Sequence, residues 1–195
     1  MKTVIGVLLV LLSGAAFGQT AQDVAELERG CAKNNYFWCG VAGELYDFGH
    51  GVRQDKFKAG EFYKKSCDGG IATWCNNLGN MYNKGDGVAQ DNFRAVELYK
   101  KACDGGSAVG CVNLGVMYNK GDGVAQDNFR AVELYKKACD GGSAVGCAKL
   151  GFMYDKGEGV RQDKSKALEL YGKACDLKEE LGCKIYAILK NLGVR

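Results

Sequence analysis

The sequence of 195 residues contains no proline and a single histidine, His50. Without proline, the turns must depend on glycine, which adopts positive φ without steric cost and occurs 29 times. One histidine cannot supply a catalytic zinc site, and we expect neither a metal nor another cofactor. His50 stands in a Gly-x-Gly turn. We interpret it as a solvated loop residue rather than a catalytic base.

A long apolar run is also absent outside the first residues. Residues 4–12 are apolar, follow Lys2 and precede small residues that end at Gly18. This is the pattern of a cleavable signal peptide, and the run is too short to span a bilayer. Gln19 rather than cysteine follows Gly18, which argues against a lipoprotein. We therefore expect residues 1–18 to be removed, leaving a soluble periplasmic or secreted chain without membrane insertion.

The sequence has no large excess of charge of either sign. Its net charge of +3 would fall to +2 on removal of residues 1–18, which contain one lysine and no acid. Lysine pairs such as Lys100-Lys101 stand among Asp and Glu at regular intervals. Because polyanion binding needs a basic stripe, we expect no nucleic-acid partner and interpret the charges as a mixed, solvated surface.

The sequence does have a period of 36 residues. Four copies cover residues 35–70, 71–106, 107–142 and 143–178, and the second and third copies differ at only five positions. Residues 19–34 look like a shortened second half of a copy, and residues 179–195 begin a fifth copy. A repeat unit buries its apolar face only against its neighbours, so we expect these atypical ends to cap an array.

Each copy has the pattern of two helices and two turns. In the third copy, apolar residues recur at spacings of three and four after Ser107 and again after Asp127, and both residues are placed to cap a helix. Gly79, Gly115 and Gly151 lie inside first helices and predict a close helix crossing. We expect the second helix of the third copy to bury a stripe formed by Phe129, Ala131, Val132, Leu134, Tyr135 and Ala138.

Ten cysteines form five pairs with the spacing C-x7-C. In one continuous helix the partners would be about 12 Å apart, too far for a disulfide. The chain must therefore reverse between them, and glycine pairs such as Gly105-Gly106 supply the turn. Export favours disulfides over zinc. We predict that each bridge joins a second helix to the next first helix, as Cys31–Cys39, Cys67–Cys75, Cys103–Cys111, Cys139–Cys147 and Cys175–Cys183.

These recurring residues resemble a known family. Residues 114–127 have the form L-G-x-M-Y-x-K-G-x-G-V-x-x-D, with Ala131 and Tyr135 after them. This pattern is similar to the SEL-like repeat, a relative of the tetratricopeptide repeat. With C-x7-C in every unit, the chain is similar to the Helicobacter cysteine-rich protein family. The resemblance implies an all-α, right-handed superhelical solenoid of antiparallel helix-pair repeats with one disulfide per repeat, exported from a bacterial cell.

The resemblance also implies two functions that differ in kind: slow β-lactam binding or hydrolysis, and a protein-interaction scaffold. The residues support the enzyme poorly. The S-x-x-K and K-T-G motifs of penicillin-recognising enzymes are missing, and both Ser107 and Ser143 have the position of helix caps. No single acid and base pair stands out. We leave catalytic residues unassigned and keep β-lactamase-like activity as the alternative.

The non-core positions of the first helices favour binding, because this face is concave in other helix-pair solenoids. Asparagine donates and accepts hydrogen bonds at once, which suits an extended peptide. Ordinary solvent-facing residues are the other interpretation of the asparagines. Apolar Val116 and Phe152 beside amides are typical of a groove. The predicted contact residues are Asn76, Asn77, Asn80, Asn83, Asn113, Val116, Asn119, Lys149, Phe152 and Asp155.

From the sequence we therefore expect a monomeric, extracytoplasmic binding module. Its partner would be a protein, a peptide or a cell-wall peptide, with slow β-lactam hydrolysis as the alternative. A structural spacer is a third hypothesis, which leaves the asparagine face unexplained.

Overall fold

The computed structural model describes residues 21–194, which form ten α-helices and no strand. The predicted all-α fold is confirmed, whereas the predicted signal peptide lies outside the described residues. None of these ten helices has the length and apolar character needed to cross a membrane. The helices are α1 Ala21–Ala32, α2 Tyr36–Phe48, α3 Lys56–Asp68, α4 Ala72–Lys84, α5 Asn92–Asp104, α6 Ala108–Lys120, α7 Asn128–Asp140, α8 Ala144–Lys156, α9 Lys164–Asp176 and α10 Glu180–Asn191.

The helices stack in chain order as a solenoid. The pairs α2–α3, α4–α5, α6–α7 and α8–α9 have the most extensive packing, and each second helix also packs on the first helix that follows it. Helix α1 packs on α2 at one end, and α10 packs on α9 at the other. Apolar clusters accordingly succeed one another along the array, one helix pair after the next. The predicted solenoid of helix-pair repeats is confirmed.

Polar side chains cap the helices where the sequence predicts them. Asp127 accepts a hydrogen bond from the amide of Arg130 at 3.0 Å, and Ser107 accepts one from the amide of Gly110 at 3.1 Å. Each such cap contributes about 1 kcal/mol by satisfying an amide that has no partner within the helix. The equivalent caps of α3, α5 and α9 are Asp55, Asp91 and Asp163.

Each disulfide crosses the turn between two copies. Cys103 at the end of α5 is bonded to Cys111 in α6, with their Cα atoms 4.5 Å apart. Gly106 between them has a φ of 91°, a conformation that glycine adopts readily. The other bridges join Cys31–Cys39, Cys67–Cys75, Cys139–Cys147 and Cys175–Cys183. The prediction of one disulfide per repeat is confirmed, and no described cysteine is free.

The helices of a pair cross closely at the glycines of the first helices. A Cβ atom on Gly115 would lie 2.6 Å from the ring of Tyr135, and one on Gly79 would lie 2.7 Å from that of Tyr99. Both distances are too short for carbon atoms, so the missing side chains make room for the tyrosine rings. This confirms the close crossing predicted from the sequence.

The predicted buried stripe of α7 is wrong at Phe129, whose side chain is 62% exposed. Ala131, Val132, Tyr135 and Ala138 are buried as expected, and Leu134 is half-buried. Phe129 lies in the first turn of α7, where it faces the loop around Val160 of the next copy instead of the core.

Candidate ligand-binding groove

The first helices of the copies line one side of the solenoid. Helix α4 contacts α6, α6 contacts α8 and α8 contacts α10, whereas second helices make no comparable contacts with one another within residues 21–194. Elements on the inside of a curved array approach one another most closely, so this side is the concave one. We call it the groove, and it is formed by α2, α4, α6, α8 and α10.

At the N-terminal part of the groove, Asp47 joins a tyrosine and a lysine. The Tyr63 hydroxyl donates a hydrogen bond to Oδ2 of Asp47 at 3.1 Å, and the ammonium of Lys56 binds Oδ1 of Asp47 at 2.6 Å. Burial raises the pKa of Tyr63, and the charge of Asp47 raises this pKa further. A side-chain hydrogen bond with Asn77 has the opposite effect and lowers the pKa of Tyr63.

Three predicted asparagines form a ladder in the middle of the groove. Nδ2 of Asn113 donates to Oδ1 of Asn76 at 2.8 Å and to Oδ1 of Asn80 at 3.3 Å. The Tyr99 hydroxyl donates to Oδ1 of Asn80 at 2.8 Å. Asn76 is only 6% exposed, which differs from the expectation of a side chain that faces a ligand, because α6 of the next copy covers it. These amides tie α4 to α6.

Asn83 and Asn119 connect the helices within a copy. Nδ2 of Asn83 donates to Oδ1 of Asn92 at 3.0 Å, and Nδ2 of Asn119 donates to Oδ1 of Asn128 at 2.9 Å. Each bond joins the end of a first helix to the start of the second helix. The asparagines of this sequence are therefore largely occupied with structural hydrogen bonds.

A pocket lies at the C-terminal part of the groove, between α6, α8 and α10. Its volume is about 330 Å³. Three of the predicted contact residues line it, and the structure adds eight that sequence reasoning did not assign to a site. The predicted ones are Asn119, Lys149 and Phe152, and the added ones are Tyr135, Val145, Ala148, Met153, Tyr171, Glu179, Leu181 and Ile185.

The pocket has a buried floor and an exposed apolar rim. Tyr135 and Tyr171 are each 2% exposed and come from second helices. At the rim, the side chains of Phe152, Val145 and Leu181 are exposed. Val145 and Leu181 occupy equivalent positions 36 residues apart, and this periodic apolar position outside the core is the signal that could have identified them.

The polar groups of the pocket are mainly hydrogen-bond donors. The ammonium of Lys149 lies 5.9 Å from the ring centre of Tyr135 and forms no ion pair with a described residue. Burial raises the pKa of Tyr135 to about 12. Burial also raises the pKa of Tyr171 to about 12, and the charge of Asp155 adds to this effect. Both hydroxyls therefore stay protonated at neutral pH. The carboxylate of Glu179 accepts a hydrogen bond from the amide of Gly182 at the start of α10.

The other predicted residues lie outside the pocket. Val116 is half-buried and packs against the core around Tyr135. Asp155 forms an ion pair with Lys156 at 3.3 Å. Asn76, Asn77, Asn80, Asn83 and Asn113 belong to the middle and N-terminal parts of the groove. The structure thus brings only part of the predicted set together.

The candidates for catalysis have structural partners. Oγ of Ser107 and of Ser143 accepts an amide hydrogen bond at the start of α6 and of α8. His50 is exposed and stacks on Phe48, with ring centres 5.9 Å apart. Within residues 21–194 no group of His, Cys, Asp and Glu side chains could hold a metal ion.

The fold and the groove together define a disulfide-bonded helix-repeat scaffold. The model of the Sel1 repeat matches residues 36–71, 75–107, 108–143 and 144–179. The chain therefore belongs to the Sel1 repeat family, whose members are generally non-enzymatic scaffolds that mediate protein interaction. A comparison with curated proteins gave no match.

Solved structures of Sel1 proteins are similar to this chain. The protective antigen c5321 of uropathogenic Escherichia coli is 32% identical with a TM-score of 0.85, over 89% of this chain and 37% of that one. A Sel1 repeat protein of Oxalobacter formigenes is 28% identical with a TM-score of 0.79, over 85% of this chain and 68% of that one. This chain thus spans about 37% of the length of c5321.

The resemblance to the Helicobacter cysteine-rich proteins is confirmed as well. Helicobacter pylori cysteine-rich protein B is 31% identical, with a TM-score of 0.56 over 69% of this chain and 96% of that one. Five disulfides are typical of proteins outside the reducing cytoplasm. Together with this likeness they indicate an extracellular or periplasmic protein.

Proposed function

We propose that this chain is an exported interaction scaffold whose concave groove binds an extended peptide. The peptide is a segment of a protein or is derived from the cell wall. One apolar side chain of the peptide enters the pocket, where Asn119, Lys149 and Phe152 contact it. The main chain of the peptide follows the asparagines toward α4.

The pocket carries this proposal. A volume of about 330 Å³ suits one large apolar side chain with its adjoining main chain. Phe152 is 43% exposed and Leu181 is 58% exposed, and exposed apolar groups clustered around a cavity are typical of an interaction site. Burial of a Leu or Phe side chain there would contribute about 1.5–3 kcal/mol to binding.

The asparagine ladder retains capacity for a ligand. Oδ1 of Asn80 accepts bonds from Tyr99 and Asn113, whereas its Nδ2 has no hydrogen-bond partner among the described residues. An amide nitrogen of this kind donates to a peptide carbonyl. Asn80 and Asn113 are both half-buried, and their hydrogen bonds to each other and to Tyr99 and Asn76 hold them in place before a ligand arrives.

Selection from a random peptide library against the fully oxidised chain tests the proposal. We expect the selected peptides to carry a Leu, Ile or Phe at a common position. Replacement of Phe152 and Leu181 by Ala should weaken their binding about tenfold or more, because two of the apolar contacts are lost. Fluorescence anisotropy of labelled peptides measures the affinity.

Phe129→Ala is the matched control. Phe129 is as exposed as the rim residues but lies on the loop edge of the solenoid, away from the pocket. Its replacement should leave peptide affinity unchanged. Failure to select any peptide, or equal affinity for the wild-type chain and the Phe152→Ala/Leu181→Ala variant, would show that the pocket is not the binding site.

A further inference from the structure

The four copies hold a tyrosine at one equivalent position of the second helix, and its hydroxyl has different surroundings along the solenoid. Tyr63 donates to Asp47 at 3.1 Å, and Tyr99 donates to Asn80 at 2.8 Å. The hydroxyls of Tyr135 and Tyr171 have no hydrogen-bond partner among the described residues. Both of these tyrosines line the pocket, and each is 2% exposed.

The cause lies at one position of the first helix. The second and third copies differ at only five residues, and one of the differences places Val116 where the second copy has Asn80. Phe152 stands there in the fourth copy. An apolar side chain cannot accept a hydrogen bond, so Tyr135 and Tyr171 lose the acceptor that Tyr99 has. Among the described residues only the Ser66 hydroxyl is a fully buried side-chain polar atom without a partner, so the hydroxyls of Tyr135 and Tyr171 are open to the pocket and available to donate to a ligand.

A cation lies near one of these two tyrosines. Lys149 is half-buried, its ammonium lies 5.9 Å from the ring centre of Tyr135, and it has no carboxylate partner among the described residues. Glu179 also lines the pocket and keeps its negative charge there, and its carboxylate accepts a hydrogen bond from the amide of Gly182 and so caps the start of α10. The charge of Asp155 raises the pKa of Tyr171, whereas burial alone raises that of Tyr135, so Tyr135 is the more suitable donor to an anion. An ammonium and a phenol together favour a carboxylate.

We propose that the pocket binds the free carboxyl terminus of a peptide whose last side chain is apolar. This inference rests on the proposed peptide-binding function and specifies the part of the peptide that is recognised. The carboxylate accepts hydrogen bonds from Lys149 and Tyr135, and the last side chain packs against Phe152 and Leu181. Only at its C-terminal residue does a peptide carry a carboxylate and an apolar side chain on the same carbon atom. The small pocket likewise has hydrogen-bond donors next to an apolar rim, so both groups of that residue find partners in it.

The test uses N-acetylated heptapeptides ending in Leu, Ile or Phe, prepared as one library with a free carboxyl terminus and as a second library with a C-terminal amide. We expect the oxidised chain to enrich peptides from the free-acid library only. The selected acids should bind roughly tenfold to hundredfold more tightly than their own amides, because the charged carboxylate is bonded by two donors.

Three variants assign the preference to its residues. Lys149→Met and Tyr135→Phe should each reduce the ratio of acid to amide affinity about tenfold. Val116→Asn should reduce it as well, because it gives Tyr135 the internal acceptor that Asn80 gives Tyr99. Tyr99→Phe is the matched control, since the Tyr99 hydroxyl is already bonded to Asn80, and it should leave the ratio unchanged.

Each other outcome overturns the inference in a distinct way. Equal enrichment of acids and amides would contradict carboxylate recognition and leave the peptide-binding function standing. A preference for acids that survives both Lys149→Met and Tyr135→Phe would move the carboxylate to another site. Enrichment from neither library would count against the inference and the proposed function together.

Discussion

At the scale of single residues, the copies act as natural variants of one another, and Ser66 is an example. Its hydroxyl is fully buried and has no hydrogen-bond partner. The equivalent residues Ala102, Ala138 and Ala174 are equally buried and carry no polar atom. The first copy thus bears an unsatisfied polar group that the other three avoid.

We expect Ser66→Ala to stabilise the chain by about 1 kcal/mol, because it removes a buried donor that has no acceptor. Urea unfolding of the oxidised chain measures the change. The reverse replacement in an equivalent place, Ala138→Ser, should destabilise by a similar amount. A loss of stability in Ser66→Ala would mean that this hydroxyl has a partner after all.

Residues that contact other copies were the ones hardest to predict from the sequence. Asn76 occupies a position on the first helix that periodicity left outside the core. It is nevertheless buried, because Asn113 of the next copy, 37 residues further along the chain, packs against it and donates a hydrogen bond to it. Tyr135 was predicted to belong to the core, and it does, but its hydroxyl also lines a pocket. A pattern within one copy carries no information about what the next copy places against it.

At the scale of helices and turns, prediction from the sequence succeeded, because each feature depends on residues that are close in the chain. Caps such as Asp127 act on amides three residues away. Each disulfide closes a turn between residues eight positions apart. The helix pairs therefore follow from local residues, and each disulfide joins the second helix of one copy to the first helix of the next.

Replacing Cys103 and Cys111 together by Ala should cost about 2–3 kcal/mol, the value expected for closure of so short a loop. Both cysteines are buried in the centre of the array. The copies on either side of this disulfide should therefore stabilise each other less in the variant. Hydrogen exchange measured by mass spectrometry would detect faster exchange in α5 and α6 and in their neighbours.

The matched variant replaces Cys175 and Cys183 by Ala at the C-terminal end. It should increase exchange in α10 and leave α4 and α5 protected, because terminal units have a neighbour on one side only. Equal exchange throughout the chain in both variants would contradict a solenoid whose copies are stabilised by nearest neighbours.

At the scale of the whole molecule, the groove changes character along its length. It begins with Asp47 and Tyr63, continues through the asparagine ladder and ends in the apolar pocket of α6, α8 and α10. The same helix pair recurs in every copy, and the five residues that distinguish the second copy from the third lie in the first helix or at its N-cap. The scaffold could be predicted because it repeats, and the pocket could not, because it forms where the repeats differ.

The central claim is that the chain binds a peptide in this pocket. Nitrogen–proton NMR spectra of the labelled, oxidised chain, titrated with a peptide from the free-acid library, test it most directly. We predict that the backbone amides with the largest chemical-shift changes belong to Lys149, Phe152, Leu181 and Ile185. Shifts concentrated instead at the exposed phenylalanines of the loop edge, Phe57, Phe93 and Phe129, would contradict the claim.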